Sequence, residues 1–127
     1  MIKLISFGFR LKDRPQCDHV FDLRLLKNPY SDPKLRGKTG LDPMVQLAVM
    51  ESKHAKDTFN RINDVINSEY IHRADMVIGL QCTGGTHRSV AMAELVGAWQ
   101  RAMGREVEIV HKDLGKWYGN KTGGGNK

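Results

Sequence analysis

Apolar and polar positions alternate in blocks that predict four strands and three helices. Residues 2–7 (IKLISF) form an apolar, β-branched run stopped by Gly8, and 19–23 (HVFDL) form a second short one. Between them LKDRPQCD has the composition of a loop. Asp42-Pro43 opens a helix, with Asp as N-cap and Pro at the first helical position, running to about Ser52. A second helix is predicted over 54–71. There Phe59, Ile62, Val65, Ile66 and Tyr70 recur at three- and four-residue steps, opposite Lys56, Arg61, Asn63 and Asn67. Residues 75–81 (DMVIGLQ) are nearly continuous in apolar character, as expected of a strand covered on both faces. A helix follows over 88–103, with Val90, Leu95, Val96, Trp99, Ala102 and Met103 as its buried side and Gly104 as its stop. Residues 106–110 (EVEIV) complete the set.

Strands separated by helices predict an α/β fold, a small, mostly parallel sheet flanked by helices in a single domain. In such sheets ligands bind beyond the carboxyl ends of the strands. The loops after Phe7, after Leu23 and after Gln81 should therefore share one edge. The stretch from Arg24 to Leu41 is broken by Asn28-Pro29, Asp32-Pro33, Gly37 and Gly40, and its length predicts a binding loop.

Composition narrows the class. With 127 residues, 40% hydrophobic and 27% charged, the chain has the make-up of one globular domain. No apolar run approaches the ~18 residues of a membrane span, and the start lacks a secretory pattern, so a cytoplasmic location is expected. Cys17 and Cys82 are too few for a disulfide framework. The net charge of +6 is uneven: residues 1–41 carry nine Lys/Arg against four Asp, whereas 42–110 are slightly acidic. Arg24, Lys27, Lys34, Arg36 and Lys38 cluster in the long loop and predict an anionic partner.

Candidate chemistry concentrates in CTGGTHRS, residues 82–89, between the third strand and its helix. Gly84 and Gly85 let the backbone turn tightly, and the helix start offers unpaired N–H groups and a positive dipole end. That combination predicts a phosphate cradle. Thr83, Thr86 and Ser89 supply hydroxyls, His87 a further donor, and Arg88 a fork for two phosphate oxygens. As a residue of the site rather than the core, Arg88 is expected to contribute little to stability. Asp22 and Arg24 flank Leu23 at a strand end and can face the same edge, Asp22 accepting a ligand hydroxyl and Arg24 meeting phosphate; the alternative is a local ion pair that organises the long loop. The five histidines show no i, i+2 or i, i+4 pair, so no metal site and no cofactor are expected. His111, closing the fourth strand, is expected either to support the site from behind or to be a strand-end residue bonded to backbone.

The same octapeptide fits C-x5-R-S and resembles the phosphate loop of cysteine-dependent phosphatases. That resemblance implies Cys82 as nucleophile, Arg88 as clamp and Asp22 as general acid. Gln81 stands where those enzymes usually carry His.

A longer resemblance covers residues 2–114. ISFGF (5–9), D-x-VFDLR-x-L-x-NPY (18–30), LR-x-x-TGLD (35–42), CTGG-x-HRSVA-x-AE (82–94) and H-x-DL (111–114), in this order, resemble the C-terminal domain of the RapZ family, also called the YvcJ family. In that family the domain follows a P-loop NTPase domain. The resemblance implies a non-catalytic module binding a phosphorylated small molecule, an amino-sugar phosphate or a nucleotide-like one, for sensing or sequestration. It also implies RNA, a protein partner and homo-oligomers as assembly partners. No GxxxxGK[ST] occurs here, so ATP hydrolysis does not carry over. Tyr30 stands where some members have His acting on the sugar phosphate. The expected ligand-binding set is Cys82, Thr83, Gly84, Gly85, Thr86, His87, Arg88 and Ser89, joined by Asp22, Arg24, Asn28, Tyr30, Arg36 and Thr39. The binding domain is expected over 1–115 and a flexible, basic, Gly-rich tail over 116–127. An RNA-binding adaptor using the basic loop and tail is the third expectation, beside binding module and phosphatase.

Overall fold

A computed structural model describes residues 1–114. The tail expected over 116–127 lies outside the described residues.

The elements are β1 (Ile2–Gly8), β2 (His19–Asp22), a 3-10 turn (Pro29–Ser31), α1 (Pro43–Met50), α2 (Ala55–Tyr70), β3 (Met76–Cys82), α3 (Arg88–Ala102) and β4 (Val107–His111). All three strand pairings are parallel and the order is β2-β3-β1-β4. The α/β expectation therefore holds. β1 and β3 are the central strands, which is why both read as unbroken apolar runs. The carboxyl ends of all four strands open on one edge of the sheet, with Gly8 beside Cys82, Asp22 beside Gln81 and Ser6 beside His111.

The three helices pack on one another and cover one face. Ile2, Leu4, Ile62, Ile66, Ile78, Leu80, Met92 and Val96 are fully buried between helices and sheet. Each such side chain contributes about 1.5–3 kcal/mol relative to exposure. The segment between β1 and β2 crosses the opposite face. Arg14 lies over the Phe7 ring at 5.4 Å, and a Cβ on Gly79 would come within 2.8 Å of Cys17 Sγ. Cys17 thus fills a place on the sheet, and its burial pushes the thiol pKa up.

Several side-chain expectations fail on α2 and α3: Ala102 and Met103, expected on the buried side of α3, stand at its C-terminal end and are exposed. Trp99 is 53% exposed and meets Phe59 edge-on at 6.1 Å, rather than entering the core. The buried face of α3 uses small residues instead: Gly97 lies so close to Ile109 that a Cβ would approach it to 2.6 Å. Asn63, expected on the solvent face of α2, is buried. It donates to the carbonyl of Phe59 (3.0 Å) and accepts from Gln100 Nε2 (2.7 Å). Arg105 donates to Asn67 and to Gln100, so the polar seam is bonded along its length.

Candidate functional site

The turn from β3 to α3 is held in place by neighbouring strands. Gly85 adopts φ +74°, and a Cβ there would meet Gly8 N at 2.6 Å and Asp113 Oδ2 at 2.8 Å. Only glycine meets both demands. Gly8 N donates to Asp113 Oδ2 (2.7 Å), and Phe9 N donates to the carbonyls of Cys82 (3.1 Å) and Thr83 (3.2 Å). The turn is thereby pinned to the end of β1 and to the chain leaving β4. Asp113 is 1% exposed, and its position was not expected to belong to the site. The signal was present in H-x-DL, where a carboxylate two residues past a strand end can reach the N–H groups of a neighbouring loop.

Cys82 Sγ lies beneath the turn. It accepts from Gly85 N (3.2 Å) and Ser89 N (3.4 Å), and its thiol donates to Ser89 Oγ (3.1 Å). The sulfur occupies the place an N-cap oxygen would take, while His87, the residue before α3, makes no capping bond with its side chain. Above it, Thr83 and Gly84 are exposed, and a Cβ on Gly84 would have nothing within 4 Å. Among the described residues, no group accepts from the backbone N–H of Gly84, Thr86 or His87. The mouth of the turn therefore combines open space, free main-chain donors and the positive end of a 15-residue helix.

Arg88 does not stand free at this mouth. Its side chain is buried, with Nη1 donating to the carbonyls of Arg24 (2.9 Å) and Leu26 (3.2 Å) and Nη2 to Thr83 Oγ1 (3.2 Å). Its Nε has no partner among the described residues. The expectation of a phosphate clamp outside the core meets a buried side chain instead: the guanidinium joins the start of the long loop to the turn. Sequence spacing could not reveal this, because the acceptors are main-chain carbonyls more than sixty positions away.

The long loop folds as successive turns docked on α3. Gly40 N donates to the carbonyl of Thr86 (2.9 Å), and a Cβ on Gly40 would lie 2.3 Å from Ala91 N and 2.5 Å from the carbonyl oxygen of His87. Leu23, Leu26 and Leu35 are buried beneath it. Asn28 accepts from Tyr30 N (3.1 Å) and Thr39 Oγ1 from Leu41 N (3.2 Å), so both shape turns and neither bonds to residues 82–89.

Aromatic and basic side chains flank the mouth. Asp22 and Arg24 form an ion pair, with Arg24 Nε and Nη2 both donating to the carboxylate (2.8–3.2 Å). The bonds from Arg24 hold the Asp22 carboxyl below its usual range. The Arg24 guanidinium lies 3.7 Å from the centroid of the Phe9 ring. On the other flank Arg36 lies over Tyr30 at 5.0 Å and donates to its carbonyl, and Tyr30 meets the His87 ring at 6.4 Å. Burial lowers the His87 pKa, against the opposing pull of the Lys38 and Arg36 carbonyls. His87 faces the long loop, and its Nε2 has no partner among the described residues.

His111 stands one step behind. Its Nδ1 is 2.6 Å from Ser6 Oγ and its Nε2 is 2.8 Å from Glu94 Oε2, tying β1, β4 and α3 together. Among the described residues no three His, Cys, Asp or Glu side chains gather as metal ligands, and no helix is long and apolar enough to cross a membrane.

Known proteins share this arrangement of sequence. A nucleotide-binding protein of Brevibacillus brevis is 38% identical over 122 residues, covering 91% of this chain and 41% of its own length. One of Syntrophomonas wolfei is 37% identical over 118 residues, covering 89% and 40%. One of Rhodospirillum rubrum is 38% identical over 114 residues, covering 86% and 36%. The chain spans about two fifths of the length of these relatives. The family model described as the RapZ C-terminal domain matches residues 1–115, and the chain belongs to that family.

Proposed function

We propose that this domain binds a phosphorylated small molecule at the mouth of the 82–89 turn, without covalent chemistry, as a sensing or sequestering module. The observation that carries the reading is the set of unused main-chain N–H groups at Gly84, Thr86 and His87, at a helix start and beside the solvent-open Gly84. Thr83 and Thr86 add hydroxyls, while Arg24 and Arg36 bring positive charge to the rim. Arg88, Asp113 and Gly8 hold the turn in shape. Asn28 and Thr39 shape turns of the long loop, and Tyr30 lies 6.4 Å from the His87 ring. That the relatives are called nucleotide-binding proteins fits a phosphate-bearing ligand, an amino-sugar phosphate or a nucleotide.

The disposition of Cys82 supports binding over phosphoryl transfer. Cys82 is 2% exposed as a residue, and its thiol donates to Ser89 Oγ. Arg88 is engaged with carbonyls, and Asp22 is paired with Arg24 rather than standing as a protonated acid. Titration calorimetry with glucosamine-6-phosphate, ribose 5-phosphate and inorganic phosphate tests the reading. Saturable binding that is lost in Gly84→Val, with the fold intact by circular dichroism, is the expected result. Release of phosphate that disappears in Cys82→Ser would replace the binding module by the phosphatase.

A further inference from the structure

The pairing of Arg24 with Phe9 has a geometry that a phosphate ligand alone does not require. Asp22 accepts from the Nε/Nη2 edge of the guanidinium, and the Phe9 ring covers one of its faces at 3.7 Å. One edge and one face are thereby occupied, yet the Arg24 side chain remains 51% exposed. What is left open is the Nη1 side and the outer face of a flat cation, fixed in orientation by a carboxylate and backed by an aromatic ring. Phe9 itself is 36% exposed.

Both members of this stack are tied to the phosphate turn through their main chains. Phe9 N donates to the carbonyls of Cys82 and Thr83, and the carbonyl of Arg24 accepts from Arg88, the first residue of α3. The stack therefore sits on the same strand-end edge as Thr83 and Gly84, with its plane held by bonds independent of any ligand. Asp22 takes the Nε/Nη2 edge, so the Nη1 side keeps N–H groups for a phosphate oxygen while the outer face of the plane stays open. A flat π-face offered beside an anion cradle suits a heterocyclic base joined to a phosphate.

We propose that the Arg24–Phe9 stack is a nucleobase platform, and that the ligand of the turn is a nucleoside monophosphate, its phosphate at Gly84–His87 and its base on the outer face of Arg24. The inference rests on the phosphate-binding reading of the turn and adds the class of ligand. Tyr30 and Arg36 form a looser stack on the opposite flank, at 5.0 Å, with Arg36 Nε bonded to a carbonyl. They serve as the internal control.

The experiment is a calorimetric comparison of AMP with ribose 5-phosphate, which carries the same phosphate and sugar but no base. The wild type should bind AMP about tenfold more tightly, the scale of one base–aromatic stacking contact. Phe9→Leu keeps an apolar side chain without a ring, and Arg24→Lys keeps the charge without a plane. Each should abolish the preference for AMP over ribose 5-phosphate, and Phe9→Leu should leave ribose 5-phosphate affinity unchanged, whereas Tyr30→Leu should preserve the preference. Thermal melts of both variants verify the fold. Equal wild-type affinities for the two ligands would overturn the platform while leaving the phosphate turn intact. So would a preference that survives in both variants, or an Arg24→Lys that weakens both ligands alike. Binding of neither ligand, nor of inorganic phosphate, would overturn the turn itself and the platform with it.

Discussion

The turn over residues 83–87 and the connection over 23–42 both leave the same edge of the sheet, yet they are built on opposite principles. The turn is short, and its shape follows from its own residues: a left-handed Gly85, an open Gly84 and a buried sulfur that serves in place of a cap. The connection has little regular structure of its own and takes its form from what it docks on. Arg88 gathers two of its carbonyls, Thr86 receives the Gly40 N–H, and Leu26 and Leu35 are buried under it. The lesson is that a basic, glycine-punctuated loop can be a fitted wall rather than a mobile flap, with its charges on the outside and its main chain spent inside.

The sharpest way to break this comparison is Gly40→Ala. A Cβ there would strike Ala91 N of α3 at 2.3 Å and the carbonyl oxygen of His87 just before it at 2.5 Å, so helix and loop must separate. Chemical denaturation should show a loss of about 3 kcal/mol, at the upper end for overpacking. Gly37→Ala, where nothing lies within 4 Å, should be silent in the same assay. A mobile flap would tolerate both equally.

Arg88→Ala comes next. Removing the guanidinium leaves the carbonyls of Arg24 and Leu26 without that donor in a buried place. A cost of about 2–3 kcal/mol is expected, seen as a fall in Tm on the order of 10 °C without ligand. An unchanged Tm would return Arg88 to the role of a free phosphate clamp.

A smaller effect is expected from pH. His87 packs between the turn and the connection, and burial holds its pKa below the usual 6.5. The unfolded chain therefore takes up this proton at a higher pH than the folded one. The stability that goes with a neutral His87 is fully present above pH 6.5 and is lost as pH falls from there toward the folded pKa. The lowered carboxyls Asp18, Asp22, Glu69 and Asp75 are also stabilising when charged, but lose that contribution only at lower pH, below the usual carboxylate values. Denaturation between pH 7.5 and 5 should thus show a decline in wild type that His87→Gln flattens. A slope identical in the two proteins would place the titration elsewhere.

How much of this was legible in the sequence divides along the same line. The strands and helices were readable because apolar periodicity and the Asp42-Pro43 cap are local signals, and a mostly parallel sheet was expected from strands separated by helices, though not the strand order. The turn was readable because glycines, hydroxyls and a helix start lie within eight residues. The connection was not, since its structure is written in contacts with residues more than forty positions away. Arg88 looked like a ligand residue for the same reason: its chemistry suits phosphate, and only the fold reveals that carbonyls claim it first. Asp113 and Phe9 escaped notice as site residues because they stand in unremarkable strand-end positions and matter only through the neighbours that β1 and β4 bring beside them. Trp99 and Asn63 changed places with expectation because the α2–α3 contact is a bonded polar seam edged by a ring rather than a wholly apolar stripe.

The smallest structural change should have the most specific consequence. Gly84→Ala introduces a methyl group where nothing lies within 4 Å, so stability should stay within about 0.5 kcal/mol of wild type. The added Cβ would nevertheless occupy the mouth of the turn, and phosphomonoester affinity should fall about tenfold or more. Loss of stability without loss of binding would reverse the comparison.

The account is tested most directly by amide chemical shifts in the uniformly 15N-labelled protein during a titration with a phosphomonoester at constant ionic strength. The largest saturable shifts should fall on the N–H groups of Gly84, Thr86 and His87, with smaller ones at Gly85 and Ser89, whose donors already serve the Cys82 sulfur. Shifts confined to the outer lysines of the connection, or a turn that stays silent at saturation, would contradict it.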